Sequence, residues 1–193
     1  MFPFVQEAMR QIIQPSQLRW IGFSHFEADE CGSVNEWLQV APSAQVLGTE
    51  AAVRVNIADF ASRTPRALTK DEVLQAGKHR FRMIPTTHLP HGWEAGMLFE
   101  EISQTLFCSD LFHQNGDIEP VTHASVIERA REVLLANQTG PLRDYMPYTI
   151  KTEHYLHDLA LLKPKVLTTQ HGSTFVGHGT QALDELALII KEV

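Results

Sequence analysis

The sequence lacks the charge and hydrophobicity patterns of several protein classes. Basic residues do not outnumber acidic ones, since 16 Lys and Arg stand against 23 Asp and Glu, a formal net charge of −7. Because nucleic acid and anionic membranes attract basic surfaces, we expect neither as a partner. No apolar run is long enough to span a bilayer, and residues 1–13 do not have the pattern of a signal peptide. We therefore expect a cytoplasmic protein.

Cysteine and internal repetition are also scarce. Cys31 and Cys108 are the only cysteines, and their spacing has no pairing signature, so we expect reduced thiols. The 193 residues contain no repeat, no low-complexity tract and no linker long enough to separate two domains. We therefore predict a single domain over residues 1–193, which is long enough to bury one substantial core.

Hydrophobic periodicity predicts strands and helices in alternation along most of the chain. The predicted strands cover residues 18–24, 44–48, 80–86, 96–102, 105–109 and 165–169, and the predicted helices cover residues 4–13, 32–40, 122–137, 152–162 and 180–192. A further helix, ending near Gly77, is predicted because Thr69-Lys70-Asp71-Glu72 has the form of a capping box. The fold class is therefore α/β with a mixed sheet.

Histidine is abundant, with ten residues, and several histidines lie in polar clusters that directly follow predicted strands. The four clusters are residues 24–33, 88–96, 108–112 and 170–173. Because α/β sheets commonly place their sites beyond the strand ends, we expect these clusters to share one site. Imidazole and carboxylate groups without a cysteine thiolate suit zinc, manganese or non-haem iron better than a structural zinc knot. A carboxylate such as that of Asp110 can also bridge two ions.

The first and later clusters follow a known order of metal ligands. Residues 25–30, His-Phe-Glu-Ala-Asp-Glu, resemble the first metal motif of the metallo-β-lactamase superfamily, H-x-[HE]-x-D-H, and Glu27 is similar to the variant found in its flavodiiron branch. His91, Asp110 and His171 then match the next histidine, the bridging aspartate and the final histidine of that branch. The resemblance covers nearly the whole chain and implies a metallo-β-lactamase-like αββα sandwich.

The resemblance also implies a binuclear metal centre. Its ligands would be His25, Glu27 and His91 at one ion, Asp29 and His171 at the second, and Asp110 between them. Two iron ions are the expected cofactor, because the hydrolases of the superfamily usually carry histidine where this chain has Glu27. The expected function is the binding or reduction of dioxygen or nitric oxide, with electrons from an external flavin or rubredoxin-type donor.

Glu30 departs from the family pattern, because the superfamily has a histidine of the second ion at this position. A carboxylate can still bind a metal, so Glu30 is included in the candidate ligand set, the alternative being that it points away and leaves an open site. His88 is an alternative to His91, and His113 follows Asp110 closely enough either to line the pocket or to lie in solvent. For His154 and His157 we expect a solvated helix surface.

The ends of the chain depart from the pattern as well. The chain ends about one helix after His171, so the resemblance implies a protein without the flavodoxin module of flavodiiron enzymes. Only 24 residues precede His25, where relatives carry several further strands. We expect an N-terminally shortened domain, the alternative being a true start that lies upstream. A shortened sheet exposes an edge, so we predict a homodimer that covers this edge and the face near Phe2, Phe4 and Trp20.

Two other functions remain open from the sequence. The first is a binuclear zinc hydrolase of thioesters or phosphoesters, in which a metal-bound hydroxide attacks the substrate. The second is a non-enzymatic di-iron sensor that binds oxygen and signals by contact with a partner. Metal identity separates the hydrolase from the iron proteins, and turnover with an added reductant separates the oxidoreductase from the sensor.

Overall fold

The computed structural model describes residues 1–70 and 72–193, and these residues form two compact units, Met1–Thr69 and Lys70–Val193. A single metallo-β-lactamase-like domain over residues 1–193 stays a prediction. No helix in the described ranges is both long and apolar enough to cross a membrane.

The first unit contains a parallel three-stranded sheet in the order β1-β2-β3. The strands are β1 (Trp20–Gly22), β2 (Gln45–Gly48) and β3 (Arg66–Ala67). The helical segments are α1 (Phe2–Arg10), a 3-10 turn (Pro15–Gln17), α2 (Ala28–Cys31), α3 (Val34–Val40), α4 (Glu50–Ala52), a π-helical turn (Val53–Ile57) and α5 (Ala58–Phe60). Its core joins Phe23 and Val46 to the buried side of α3, which supplies Val34 and Leu38.

The second unit is built on a mixed seven-stranded sheet in the order β4-β5-β6-β7-β9-β10-β8. The strands are β4 (Val73–Ala76), β5 (His79–Pro85), β6 (Gly96–Glu100), β7 (Thr105–Phe107), β8 (Val121–Thr122), β9 (Val166–Thr168) and β10 (Thr174–Val176), and the helices are α6 (Ile127–Asn137), α7 (Thr152–Leu161) and α8 (Gly179–Glu192). Met97 of β6, Leu106 of β7 and Leu167 of β9 enter one core together with the helix residues Leu156 and Leu183. The central strands and the helices α7 and α8 therefore share one apolar core.

Most of the predicted elements are confirmed. β1, α3 and β2 form the predicted strand–helix–strand unit, with β1 and β2 parallel. The three consecutive predicted strands are β5, β6 and β7, which pair antiparallel in register. α7, β9 and α8 lie within two residues of their predicted bounds. These segments have strong apolar periodicity along their whole length, so packing and local preference agree.

The helix predicted from Thr69 to Gly77 is wrong. Residues 73–76 form strand β4, which pairs antiparallel with β5 and is joined to it by the two-residue turn Gly77-Lys78. Gly77 has φ +61°, the left-handed conformation that a two-residue hairpin with glycine at its first position requires. Cross-strand pairing therefore overrides the capping-box pattern. Asp71 of that pattern lies outside the described residues.

The helix predicted over residues 122–137 begins later than expected, at Ile127. The hydroxyl of Thr122 accepts a hydrogen bond from the Ala124 amide, and the hydroxyl of Ser125 accepts one from the Ile127 amide. Such local side-chain bonds offer the backbone an alternative to helix. Thr122 itself belongs to β8, a strand that the sequence analysis did not predict.

The turn after β6 is stabilised by a buried carboxylate. Glu100 accepts hydrogen bonds from the backbone amides of Arg80, Ile102 and Ser103 and from the Ser103 hydroxyl. Burial opposes ionisation of Glu100, but these hydrogen bonds, led by those of Ser103, lower its pKa to about 2 from the usual 4.5. The carboxylate therefore remains charged and holds the β6–β7 turn closed.

We expect Glu100→Gln to reduce the free energy of unfolding by about 2 kcal/mol, because the amide NH₂ would face donors that now bond to a charged acceptor. The stabilisation by the Glu100 carboxylate of the wild type is complete above the unfolded-state pKa and is lost as the pH falls from about 4.5 towards 2. The free energy of unfolding of the variant should therefore depend less steeply on pH over that range. Urea unfolding at pH 7 and pH 3 measures both effects. Glu132→Gln, at an exposed position of α6, serves as the control and should change stability by less than about 0.5 kcal/mol. An equal loss of unfolding free energy in both variants would contradict the stabilising role of the Glu100 carboxylate in this turn.

Candidate metal centre

In the first unit, the segment between β1 and α3 gathers one histidine and two glutamates. The His25 side chain is fully buried, and its Nε2 lies 3.8 Å from Oε1 of Glu27 and 3.7 Å from Oε2 of Glu30. On the other side of the ring, Nδ1 is hydrogen-bonded to the Ser24 hydroxyl at 3.0 Å. Metal-binding histidines commonly engage their second ring nitrogen in this way, which fixes the ring orientation.

The short helix α2 places the two carboxylates. Glu27 precedes α2 in an extended conformation, and its carbonyl accepts hydrogen bonds from the amide and the thiol of Cys31. Glu30 lies in the first turn, with a side chain that is only 4% exposed. The substituted position of the motif therefore directs its carboxylate towards His25 rather than into solvent. Asp29, the third carboxylate of the motif, lies on the exposed side of α2.

In the second unit, a buried aspartate lies between two histidines. Asp110 Oδ2 lies 3.5 Å from Nε2 of His91, and Asp110 Oδ1 lies 3.5 Å from Nε2 of His171. These separations exceed an ordinary hydrogen bond. They are close to the roughly 3 to 3.5 Å that separates two ligand atoms held about 2.1 Å from one ion at roughly 90 to 110°. The geometry and the donor types both fit a carboxylate whose two oxygens serve two different ions.

Asp110 is held by a turn with an unusual backbone conformation. Ser109 and Phe112 both have positive φ, +54° and +63°. The turn is fixed by the Leu111 amide, which donates to the Cys108 carbonyl, and by the Thr169 hydroxyl, which lies 2.7 Å from the Leu111 carbonyl and 3.2 Å from that of Ser109. Non-glycine residues in this conformation are strained, and such strain is concentrated at functional sites.

The loop that carries His91 is closed by its own hydrogen bonds. The Thr86 amide donates to the Ala95 carbonyl, and the His88 amide donates to the carbonyl of Gly92. Gly92 has φ +75°, which glycine adopts at low cost. His88, the alternative to His91, is exposed, whereas His91 faces Asp110. The geometry therefore favours His91 as the candidate ligand.

Tyr145 and His113 line the histidine cluster. The rings of Tyr145 and His91 have centroids 5.9 Å apart, Tyr145 packs edge-on against His113 at 6.1 Å, and His113 lies 4.8 Å from His171. Burial, together with the charge of Asp110, raises the pKa of Tyr145, so its hydroxyl stays protonated. Burial and the neighbouring His171 lower the pKa of His113. Both side chains therefore present neutral, hydrogen-bonding groups at neutral pH.

The structure thus brings the predicted residues together in two groups, one in each unit: His25, Glu27 and Glu30 in the first, and His91, Asp110 and His171 in the second. His154 is exposed and pairs with Asp158 on α7 at 3.4 Å, as expected for a solvated surface. Burial raises the pKa of the Cys108 thiol, which belongs to the core.

Sequence reasoning missed Tyr145, which has a second tyrosine, Tyr148, close to it in the chain. Tyr148 is largely exposed and bonds to Glu153. The two tyrosines lie three residues apart in an irregular segment, where no periodicity predicts which one points inwards. A search for aromatic residues near Met146 would have found both.

The chain matches a known protein family over most of its length. The family model described as "ODP family beta lactamase" matches residues 1–172. A protein assigned as diflavin flavoprotein A 1, from Thermosynechococcus vestitus, is 30% identical over 111 residues, which cover 55% of this chain and 19% of that protein. The chain spans about a fifth of the length of the curated relatives it matches.

Solved structures share the fold over almost the whole chain. The peroxy diiron species of the chemotaxis sensor ODP superimposes with a TM-score of 0.77 and 18% identity, covering 98% of this chain and 78% of that one. The flavodiiron protein from Giardia intestinalis superimposes with a TM-score of 0.73 and 17% identity, covering 99% of this chain and 47% of that one. The predicted metallo-β-lactamase-like fold, in its flavodiiron-like form, is confirmed.

Proposed function

The chain belongs to the ODP family of β-lactamase-fold proteins, and on that basis we propose that it is a non-haem di-iron protein that binds dioxygen or nitric oxide. The observation that carries this proposal is the buried carboxylate of Asp110, which has a histidine Nε2 3.5 Å from each of its two oxygens. A carboxylate between two imidazoles on opposite oxygens suits a bridging ligand better than a single ion pair.

The proposed ligand set is the one that the resemblance implies, with Glu30 added at the position where the family has a histidine of the second ion. It consists of His25, Glu27 and His91 for one ion, Asp29, Glu30 and His171 for the second, and Asp110 for both. The low exposure of the Glu30 side chain, which is directed inwards rather than into solvent, supports its inclusion. Carboxylate-rich ligation adds negative charge and favours the ferric state, so the set suits iron. When bound, the two ions would supply electrons and a binding position for a diatomic gas.

Tyr145 offers a hydrogen-bond donor close to the proposed gas-binding position. Its hydroxyl is buried and has no hydrogen-bond partner among the described residues. Buried hydroxyl groups nearly always have a partner, so an unpartnered donor beside His91 and His113 suits a ligand that binds there. We propose that the protonated Tyr145 hydroxyl orients the bound gas by donating a hydrogen bond, while the apolar side chains of Leu111 and Phe112, which are fully or nearly fully buried, exclude water.

The gas-binding proposal has two forms. In the first, the protein reduces dioxygen or nitric oxide with electrons from an external flavin or rubredoxin-type donor. In the second, it binds oxygen without turnover and signals through a partner. The second form is favoured by the family match and by the likeness to a chemotaxis sensor, and the first by the likeness to flavodiiron and diflavin proteins.

Metal content and turnover test the function together. Protein produced without added metal should contain about two iron ions per chain, measured by elemental mass spectrometry, in accordance with the proposed two-ion ligand set. Consumption of dioxygen or nitric oxide with an added reductant and donor would support the oxidoreductase, and reversible oxygen binding without consumption would support the sensor. A content of two zinc ions per chain, together with hydrolysis of a thioester or phosphoester, would contradict both forms of the gas-binding proposal and support the zinc hydrolase instead.

We also propose that the protein acts in the cytoplasm as a homodimer. Met1, Phe4 and Ile12 are strongly exposed apolar residues at or near α1, and β1 lies at one edge of the three-stranded sheet. Exposed sheet edges are commonly covered by another chain, and a two-fold dimer is the commonest arrangement. A second copy that covers these features would remove both from water.

A further inference from the structure

Gln114 is a buried amide in the loop after β7, only four residues past Asp110, and no predicted motif includes it. Its exposed fraction is 4%. Buried amide side chains are retained in proteins when their hydrogen-bonding groups have partners. The contacts of this side chain therefore indicate what it does.

Gln114 makes hydrogen bonds to both loops that carry candidate ligands of the second unit. Its backbone amide donates to the carbonyl of His171 at 2.7 Å. Its side-chain Nε2 donates to the carbonyl of Phe112 at 3.0 Å, in the strained turn that follows Asp110. One residue thus links the Asp110 turn to the backbone of His171.

The neighbouring glycine makes room for this arrangement. A Cβ added to Gly172 would lie 2.6 Å from Nε2 of Gln114, which is closer than real Cβ contacts allow. Gly172 also has φ +156°, at the limit of the region that side chains rarely adopt. The amide therefore lies directly against the backbone that follows His171.

An arginine fixes the orientation of the amide. Arg129 Nη1 donates to Oε1 of Gln114 at 3.5 Å, and Arg129 Nη2 donates to Glu119 at 3.0 Å. Because the amide oxygen faces a donor-only guanidinium, its NH₂ group faces Phe112. The orientation is the one that the bond to the Phe112 carbonyl requires.

We propose that Gln114 is a positioning residue of the metal centre, which holds Asp110 and His171 at the separation that metal binding needs. The inference rests on the proposed function, because it assigns Gln114 to the support of that site. Residues that orient metal ligands typically change metal affinity 10- to 100-fold when they are replaced.

Gln114→Met keeps the size and the backbone bond but removes the side-chain amide, and Gln114→Glu keeps the acceptor for Arg129 but cannot donate to Phe112. Titration of the metal-free protein with Co²⁺, followed by its visible absorption, should show binding weakened about 10- to 100-fold in both variants. Hydrogen exchange of residues 109–114 and 170–172 in the metal-free protein should become at least several-fold faster, with β5 and β6 unchanged as a measure of global folding. Gln75→Met is the matched control, because Gln75 Nε2 also donates to a turn carbonyl, that of Gly77, in the hairpin between β4 and β5.

Wild-type affinity and wild-type exchange in both Gln114 variants would overturn the inference. Weakening of the same size in Gln75→Met would also overturn it, because the effect would then not be specific to the two loops. A wild-type protein that binds no metal would instead refute the proposed function. The exchange rates would then decide by themselves whether Gln114 joins the two loops.

Discussion

Asp110→Asn should abolish stoichiometric binding of both metal ions, with a loss of affinity of about 100-fold or more at each. This exceeds the roughly 10- to 100-fold change typical of residues that only orient ligands. Asp110 is 4% exposed and has one oxygen directed at each of two histidines, so its amide analogue would offer a single weak neutral oxygen and no charge for two cations. Metal per chain, measured by mass spectrometry after desalting, gives the result.

A second ligand variant distinguishes bridging from simple loss of charge. Glu27→Gln should lower the occupancy of mainly one ion, because Glu27 belongs to a single proposed ion. Asp117→Asn, at an exposed position of the same loop as Asp110, is the matched control and should leave both ions in place. An Asp110→Asn protein that keeps two ions per chain would remove the bridging role.

Loss of both ions should also lower thermal stability when metal is present. A ligand that binds only the folded state stabilises it by about 2.7 kcal/mol at a concentration 100-fold above its Kd. Wild type and Asp110→Asn should therefore differ in melting temperature with metal and differ less after chelation. Comparing the melting temperatures with and without metal separates the loss of metal binding from direct damage to the Asp110 turn, in which Ser109 and Phe112 have positive φ.

Much of the fold could be predicted from the sequence, because in the central strands and helices the apolar periodicity of the sequence agrees with the way these elements pack. In β6, Met97 and Phe99 lie two residues apart and both are buried, and α8 repeats apolar residues at helical spacing, so these local patterns already specify the face that enters the core. The error at residues 73–76 arose where local and tertiary preferences disagree. A capping-box pattern favoured helix, but Gly77 and pairing with β5 determine a hairpin.

The residues of the candidate site likewise fall into those that the sequence predicts and those that it does not. His91, Asp110 and His171 were predicted because metal ligands are side chains of restricted types in a fixed order. Gln114 and Tyr145 were not predicted, because their roles depend on main-chain carbonyls and ring contacts that are distant in sequence. A hydrogen bond to a carbonyl places no requirement on the identity of the residue that supplies it. Such partners are visible only once the loops have been brought together.

Glu30 tests the one position where the motif itself differs from the family pattern. Its Oε2 lies 3.7 Å from Nε2 of His25, and its side chain is almost fully buried. We expect Glu30→Ala to lower the occupancy of the second ion while the first is retained, because the proposed first ion keeps His25, Glu27 and His91. Iron per chain and the ligand-field spectrum of the Co²⁺ form would report the change.

Glu30→His should restore the second ion that Glu30→Ala loses, since histidine is the residue that the superfamily motif has there. A neutral imidazole removes one negative charge, so the restored centre should be easier to reduce than the wild-type centre, and a redox titration measures the direction of that shift. Glu36→Ala, an exposed carboxylate in the first turn of α3, is the control for the loss of a helical glutamate. If Glu30→Ala keeps two ions per chain and an unchanged Co²⁺ spectrum, Glu30 is not a ligand, and the second ion is held by Asp29, His171 and Asp110 with an open position.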